Sequence, residues 1–321
     1  MPLENPQQRP TGRILKRIGD RYLVFYEGRD IVCAVRQKVA KGDRYPAIGD
    51  WVEFSEIGDS SGVIERIHER GSNLTRSAAG PKPRPQVMLA NLDLLVVVSS
   101  LAEPDPNPRL IDRFLVMAEF SDIPSVIVWN KYDLINADPP MSPPAFAGEG
   151  GTVPAKLPEI SLPEKYRAIG YPSLFTCALT GQGVEALRDQ IAGKTSMFIG
   201  ASGVGKTSLL NQLSPDLGKK VAEISHATGK GIHTTSSTEI VPLDKNTFIA
   251  DSPGVREFAL WGVARHDLGK CFREFQPFAE QCKFRDCVHD QEVGCGVKQA
   301  VESGGIDRER WESYLRILHT L

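Results

Sequence analysis

Hydrophobic and polar positions change rhythm along the chain. From about residue 12 to residue 67 the apolar residues come in short bursts, at 13–18, 22–26, 31–36, 50–55 and 62–67. Glycine and aspartate separate them (Gly19-Asp20, Gly28, Gly42-Asp43, Gly49-Asp50, Gly58-Asp59). Short apolar runs cut by turn-forming residues predict five β-strands. Five strands in so little chain predict a small barrel of the OB type, whose open face often binds oligonucleotides; the alternatives are an SH3-like barrel or a packing module. Residues 71–86, GSNLTRSAAGPKPRPQ, are rich in Gly, Pro and basic side chains and read as a basic linker.

Beyond the linker the pattern becomes one of strands alternating with helices. Residues 93–99 (DLLVVVS) and 125–129 form continuous apolar runs, suited to parallel strands buried on both faces. Residues 108–120 place Leu110, Phe114 and Met117, with Ile111, Leu115 and Ala118, at helical spacing. Further strands are predicted at 174–176, 196–200, 240–243 and 247–250, and helices at 184–191 and 206–213. The alternation predicts a doubly wound α/β domain. Residues 136–171 hold many prolines and glycines and read as a long insertion rather than a core element. The chain after about Trp261 is expected to be mainly helical.

Composition narrows the picture modestly. The 321 residues are 41% hydrophobic and 24% charged, with a formal net charge of −2, so nothing global demands a nucleic acid or an acidic membrane. Residues 1–90 carry fifteen Lys/Arg against eleven Asp/Glu, a mild basic bias. No apolar run reaches membrane-span length and the first ten residues lack a signal-peptide pattern, which predicts a cytoplasmic protein without a membrane partner. A monomer is expected. In a reducing compartment, three of the six cysteines crowded into 282–295 point to metal more than to disulfides.

The strongest chemical signal is Gly200-Ala201-Ser202-Gly203-Val204-Gly205-Lys206-Thr207-Ser208, which satisfies G-x-x-x-x-G-K-[ST]. Its glycines let successive N–H groups turn toward phosphates, Lys206 adds a point charge, and the Thr207 hydroxyl suits Mg²⁺. An apolar strand precedes it and a helix follows, so a helix N-terminus faces the phosphates. The loop alone does not distinguish ATP from GTP. Asn130-Lys131-Tyr132-Asp133 does, because N-K-x-D reads guanine. The Asp133 carboxylate would accept from guanine N1–H and the 2-amino group, adenine would leave it unpaired, and the Lys131 stem would lie along the base. Cys177-Ala178-Leu179 resembles the Ser-Ala-x loop that supports guanine O6, with Cys in place of Ser. These base-reading loops precede the phosphate loop, the reverse of the usual order. A circular permutation explains the reversal without altering the site.

Asp251-Ser252-Pro253-Gly254 fits D-x-x-G, with Asp251 toward Mg²⁺ and the Gly254 N–H toward the γ-phosphate. Residues 228–235 occupy the place of the first switch, where Thr234 or Thr235 would reach Mg²⁺. Val255 stands where many GTPases carry a water-orienting Gln. His233 is the candidate replacement, against a loop histidine without a catalytic part or a group supplied by a partner. Cys282-x4-Cys287-x-His289-x5-Cys295 offers three thiolates and an imidazole, a set for one structural Zn²⁺ if these are not simply buried thiols. Lys283, Arg285 and Lys298 surround the cluster, with Asp286, Asp290 and Glu292 offsetting them, and Cys271 is the spare thiol.

The permuted motifs, the five-strand N-terminal segment and the Cys/His cluster together resemble the ribosome small-subunit-dependent GTPase family, RsgA. The carriers are GASGVGKTSLLNQL, GKGIHTTSST, DSPGVREFALW and CKFRDCVHDQEVGC, within a resemblance running from about residue 12 to the C-terminus. It implies an OB-fold barrel over 1–70, the linker 71–86, a circularly permuted α/β P-loop GTPase domain over 87–260 and a zinc-binding domain over 261–321. It also implies GTP hydrolysis stimulated by the small ribosomal subunit and its rRNA, late in that subunit's maturation. It supports Lys206 and Thr207 at phosphate and Mg²⁺, Asn130 and Asp133 at guanine, Asp251 and Gly254 in the second switch, and Cys282, Cys287, His289 and Cys295 on zinc. Cys177 and the proline-rich insertion depart from the family pattern. Competing readings are a nucleotide-gated RNA-binding module in which hydrolysis is incidental, and an ATP-dependent nucleic-acid enzyme, against which Asn130-Lys131-Tyr132-Asp133 argues.

Overall fold

Five strands close on themselves near the N-terminus of the computed structural model, which describes residues 9–40, 45–77, 85–135, 161–214, 239–251 and 262–321. They are β1 (Thr11–Ile18), β2 (Arg21–Tyr26), β3 (Arg29–Val35), β4 (Trp51–Gly58) and β5 (Ser61–Ile67), with the short helix α1 (Gln37–Ala40) after β3. The order is β1-β2-β3-β5-β4; β3 and β5 run parallel, and β1 and β4 close the ring antiparallel. That order is the OB fold, which decides between the two barrels the strand pattern allows. Inward positions supply its core: Ile14, Val24, Ile31, Cys33, Val52, Phe54 and Ile64 are all buried. Arg13, also buried, lies 5.0 Å from the Trp51 ring and 4.9 Å from the Phe248 ring, and donates to the Asn91 carbonyl at 2.8 Å. Burial lowers its guanidinium to about 10.

The stretch 71–86 is not all connector. β6 (Asn73–Ser77) pairs antiparallel with β7 (Pro85–Ala90), and Leu74 and Leu89 are buried. A run with one buried leucine among polar residues carries too weak an alternation to announce a strand, and its partner strand opens on proline.

Internal contacts divide the chain into two units. One contains the barrel, the β6/β7 pair, residues 192–197 and the antiparallel pair β12 (Glu239–Pro242) and β13 (Phe248–Asp251). The other contains β8 (Leu94–Ser100), α2 (Pro108–Phe120), β9 (Ser125–Asn130), α3 (Leu162–Ala168), β10 (Ser173–Phe175), α4 (Val184–Ile191), α5 (Lys206–Leu213) and the C-terminal segment. In this second unit β10, β9 and β8 are parallel neighbours in that order, and β11 (Thr195–Ile199) leads into the phosphate loop. β8 and β9 are buried along their whole length, as continuous apolar runs require. α2 starts where Asn107 accepts from the Leu110 N–H at 3.2 Å and Pro108 takes the first turn, and it buries Ile111, Phe114, Leu115 and Ala118.

The insertion reading of 136–171 ends too late. Residues 136–160 lie outside the described set, but 161–171 form α3 and its exit, with Tyr166 and Tyr171 each 1% exposed. The Ser161 N–H donates to the Glu164 carboxylate at 3.1 Å, and Pro163 sits in the first turn, where its missing N–H costs nothing. Proline near a helix start imitates a loop in composition.

The C-terminal segment comprises α6 (Arg265–Leu268), α7 (Gln276–Ala279), α8 (Gly296–Ser303) and α9 (Arg308–Leu318), with 3-10 turns between α6 and α7. Leu268, Phe272, Phe275, Val297, Ile306 and Tyr314 build its core, and Val116 of α2 belongs to the same cluster. Cys271 is buried there as a small apolar side chain. Arg310 of α9, buried, ion-pairs with Glu274 at 2.7 Å and with Asp112 of α2, which also accepts from the Tyr166 hydroxyl at 2.5 Å. This segment therefore packs onto α2 through both apolar and ionic contacts.

Candidate functional site

The three loops that the motifs single out converge on one side chain. Asn130 ends β9 and is 1% exposed. Its Nδ2 donates to the Val204 carbonyl of the phosphate loop at 2.9 Å. Its Oδ1 accepts from the Thr176 hydroxyl at 3.1 Å and from the Ala178 N–H at 3.2 Å. One carboxamide thus uses both ends to join the loops after β9, β10 and β11. Gln212 of α5 adds a fourth tie, donating to the Ala178 carbonyl at 2.8 Å.

The phosphate loop follows β11 and leads into α5, which is anchored by buried Leu209, Leu210 and Leu213. Gly205, at φ +93°, is the residue before the helix; a Cβ there would strike Asn130 Nδ2. At Gly200 a Cβ would strike the Val98 carbonyl. Val204 is buried, whereas Ser202, Gly203, Thr207 and Ser208 are exposed around the helix start. Lys206 Nζ donates to the carbonyls of Gly200 at 2.9 Å and Ala201 at 2.7 Å, so its charge lies inside the curl of the loop.

On the base side, Lys131 holds φ +60°, a conformation that favours glycine, and its ammonium donates to the Glu103 carbonyl. Tyr132 is buried and Asp133 is exposed. The Asp133 carboxylate accepts from the Cys177 thiol at 3.0 Å. Cys177, 1% exposed, is bridged to Gln182 through its backbone. The cysteine that departs from the Ser-Ala-x pattern therefore keeps a donor aimed at the carboxylate.

Asp251 ends β13; its side chain, with His233, Thr234, Thr235 and Gly254, lies outside the described residues. The sequence reading missed Thr176 and Gln212. Thr176 belongs to no recognisable motif and Gln212 lies beyond the specified positions of the phosphate-loop pattern, and each acts through a contact 46 or 34 residues away in the chain.

Cys282, Cys287, His289 and Cys295 form a second site, their ligand atoms all within 4.8 Å of one another. His289 Nδ1 is 3.6 Å from the Cys282 sulfur and 3.4 Å from that of Cys295, and the two sulfurs are 3.9 Å apart. A tetrahedron with ordinary zinc bond lengths has edges of about 3.8 Å between sulfurs and about 3.6 Å from nitrogen to sulfur. The donor set and its spacing therefore fit Zn²⁺. Burial, with the neighbouring sulfurs, pushes the Cys287 thiol up to about 12. Burial likewise raises the Cys295 thiol, and a bound cation would supply the charge that thiolates at Cys287 and Cys295 need in this setting. Burial also lowers the His289 pKa and favours the neutral imidazole that a metal needs.

Outer contacts fix this cluster. The Tyr314 hydroxyl donates to the Val288 carbonyl at 2.5 Å, and Trp311 Nε1 to the His289 carbonyl at 3.1 Å. Glu292 accepts from the N–H groups of Val288 at 2.7 Å and Asp290 at 2.9 Å. Asp290 in turn faces His319 at 3.1 Å. The acidic residues that look in sequence like an offset to nearby lysines are, in two of three cases, engaged in holding the loop.

The comparisons agree with this geometry. The RsgA GTPase family model matches residues 67–261. The small ribosomal subunit biogenesis GTPase RsgA of Gemmatimonas aurantiaca is 38% identical over 313 residues, covering 96% of both chains. The protein of the same name from Moorella thermoacetica is 37% identical over 307 residues, again 96% of both. The crystal structure of YjeQ from Thermotoga maritima superposes with a TM-score of 0.72 at 30% identity, covering 98% of each chain. That of YloQ, described as a circularly permuted GTPase, does so at 0.68 with 26% identity, covering 100% of this chain and 97% of that one.

Proposed function

The chain belongs to the RsgA GTPase family and is a GTP hydrolase, and from that premise we propose that it acts in the biogenesis of the small ribosomal subunit, binding the subunit and its rRNA. The observation that carries the nucleotide part of this reading is Asn130, which ties the base-reading loop to the phosphate loop. Guanine sits against Asp133, with the Lys131 stem along its plane and a backbone N–H of the Cys177-Ala178-Leu179 loop at O6. The β- and γ-phosphates lie in the cradle formed by Gly200, Ser202, Gly203, Val204 and Gly205, neutralised by Lys206, with Ser208 beside it on α5. Thr207 and Asp251 would hold Mg²⁺, for which the exposed Thr207 hydroxyl on the first turn of α5 is suited. The ion would supply charge neutralisation between the phosphates.

Thr234 or Thr235 closes the first switch and Gly254 the second. Val255 cannot orient water, so His233 or a group from the subunit does so, and intrinsic turnover is slow. The barrel over 1–70 and the zinc-bearing segment over 261–321, which precede and follow the GTPase domain 87–260 in the chain, are the RNA contacts. Among the described residues no helix is long and apolar enough to cross a membrane. We place the protein in the cytoplasm as a monomer. GTP hydrolysis by the purified chain, with and without small subunits and with ATP and large subunits as controls, tests the reading. Stimulation confined to GTP and small subunits is expected. GTP turnover unchanged by small subunits would remove the partner and leave the enzyme; subunit binding gated by GTP without turnover would favour the nucleotide-gated module.

A further inference from the structure

Between the first two metal-ligating cysteines runs a four-residue loop, Lys283-Phe284-Arg285-Asp286, all four residues exposed. Phe284 is 45% exposed although the segment around it has an extensive apolar core. Among the described residues of 262–321, the other exposed large hydrophobics are Val293, at 80%, and Leu321 at the chain end. Val293 precedes Gly294, whose carbonyl accepts from the Lys283 N–H at 2.9 Å, so the two stretches of backbone meet beside the ring. An aromatic and an aliphatic side chain are thus both left exposed on the backbone that carries Cys282, Cys287 and Cys295.

The charges around the ring point to a partner. Lys283 Nζ lies 5.5 Å from the Phe284 ring centroid, and Arg285 follows directly in the chain. The acids nearby are mostly committed elsewhere: Glu292 accepts from two backbone N–H groups and Asp290 faces His319. Asp286 is the remaining carboxylate of the tip, against two cations. An exposed aromatic flanked by cations on a rigid loop is the arrangement that stacks an unpaired base while neutralising its flanking phosphates. A purely apolar protein groove would have no use for the two cations, and a duplex backbone none for the ring.

We infer that the Lys283–Arg285 loop is a stacking platform for an unpaired nucleotide of single-stranded RNA, with the base on Phe284 and its phosphates at Lys283 and Arg285. The inference rests on the small-subunit reading for its physiological partner, but the platform itself is defined by base stacking. It adds a particular contact and nucleotide state to that reading, and it assigns a role to the loop between two metal ligands besides closing the metal site.

The test uses the full-length, zinc-loaded protein and the variants Phe284→Ala, Phe284→Leu, Phe284→Trp and the double variant Lys283→Ala/Arg285→Ala. Zinc content and melting temperature establish that each is folded. Binding is read on small subunits and, separately, on a labelled mixed-sequence single-stranded RNA by anisotropy. Phe284→Ala is expected to weaken both by roughly tenfold, the loss of one stacked base. Phe284→Trp should restore binding, and Phe284→Leu should not. The double variant should flatten the salt dependence of RNA binding. Wild-type affinity in Phe284→Ala, or rescue by Leu, which would mark an apolar protein contact, overturns the platform. If wild-type protein ignores small subunits, the partner reading fails, and the platform stands or falls on the single-stranded RNA alone.

Discussion

The nucleotide site and the metal site are held together by opposite means. At the first, a neutral carboxamide, Asn130, joins three loops through hydrogen bonds of ordinary length, and each loop follows a strand, those of β9 and β11 buried throughout. At the second, strands are absent. Short turns and the start of α8 bring three thiols and an imidazole together, and a few outer hydrogen bonds orient them. A site on a sheet keeps its scaffold when one tie is cut, losing alignment before fold. A site made by its ligands loses local structure when they are removed.

The largest effect should therefore come from the metal. Cys287→Ser, or stripping by a strong chelator, should lower the melting temperature by many degrees and expose the Phe272–Phe275–Tyr314 core, seen as dye binding and lost near-ultraviolet dichroism. An unchanged melting curve in metal-free protein would remove the contrast. Next comes Arg310→Ala, which strands Asp112 and Glu274 without their cation and should cost about 3–5 kcal/mol in denaturant unfolding. Smaller losses would mean that water reaches the pair.

Asn130→Ala should leave unfolding stability nearly intact relative to Arg310→Ala. It should weaken GTP binding by roughly 10- to 100-fold, since partners on two other loops lose their common tie to the base-reading loop. A variant that unfolds rather than misaligns would place Asn130 with the metal ligands and not against them. The smallest effect is at Cys177. Removing its thiol from Asp133 with Cys177→Ala should cost about 1 kcal/mol of GTP affinity, and Cys177→Ser should retain it. Equal affinities for Ala and Ser would show that the thiol does not position the carboxylate.

These differences also decide what could be read from sequence. Helices 108–120, 184–191 and 206–213 fall where their apolar spacing places them, because each buries several of its apolar positions. The phosphate and guanine motifs are legible because their residue types have few substitutes. Thr176 and Gln212 are not, since a single hydroxyl or amide gains meaning only from a partner brought near by the fold. α3 hides in proline-rich chain, and β6 in a stretch whose composition is that of a linker. Glu292 looks like surface charge, and its inward turn toward two N–H groups depends on a backbone path that no periodicity reports.

The central claim is that Asp133, aligned through Asn130 and Cys177, reads the guanine edge. The most direct measurement compares GTP and xanthosine triphosphate binding by the wild-type protein and Asp133→Asn. Xanthine carries a carbonyl where guanine carries the amino group, so an amide that can donate there suits xanthine and a carboxylate suits guanine. The account predicts that Asp133→Asn loses GTP affinity at least tenfold and gains affinity for xanthosine triphosphate, with zinc content and melting temperature unchanged. A variant that keeps the wild-type preference for GTP would contradict it and place base recognition elsewhere.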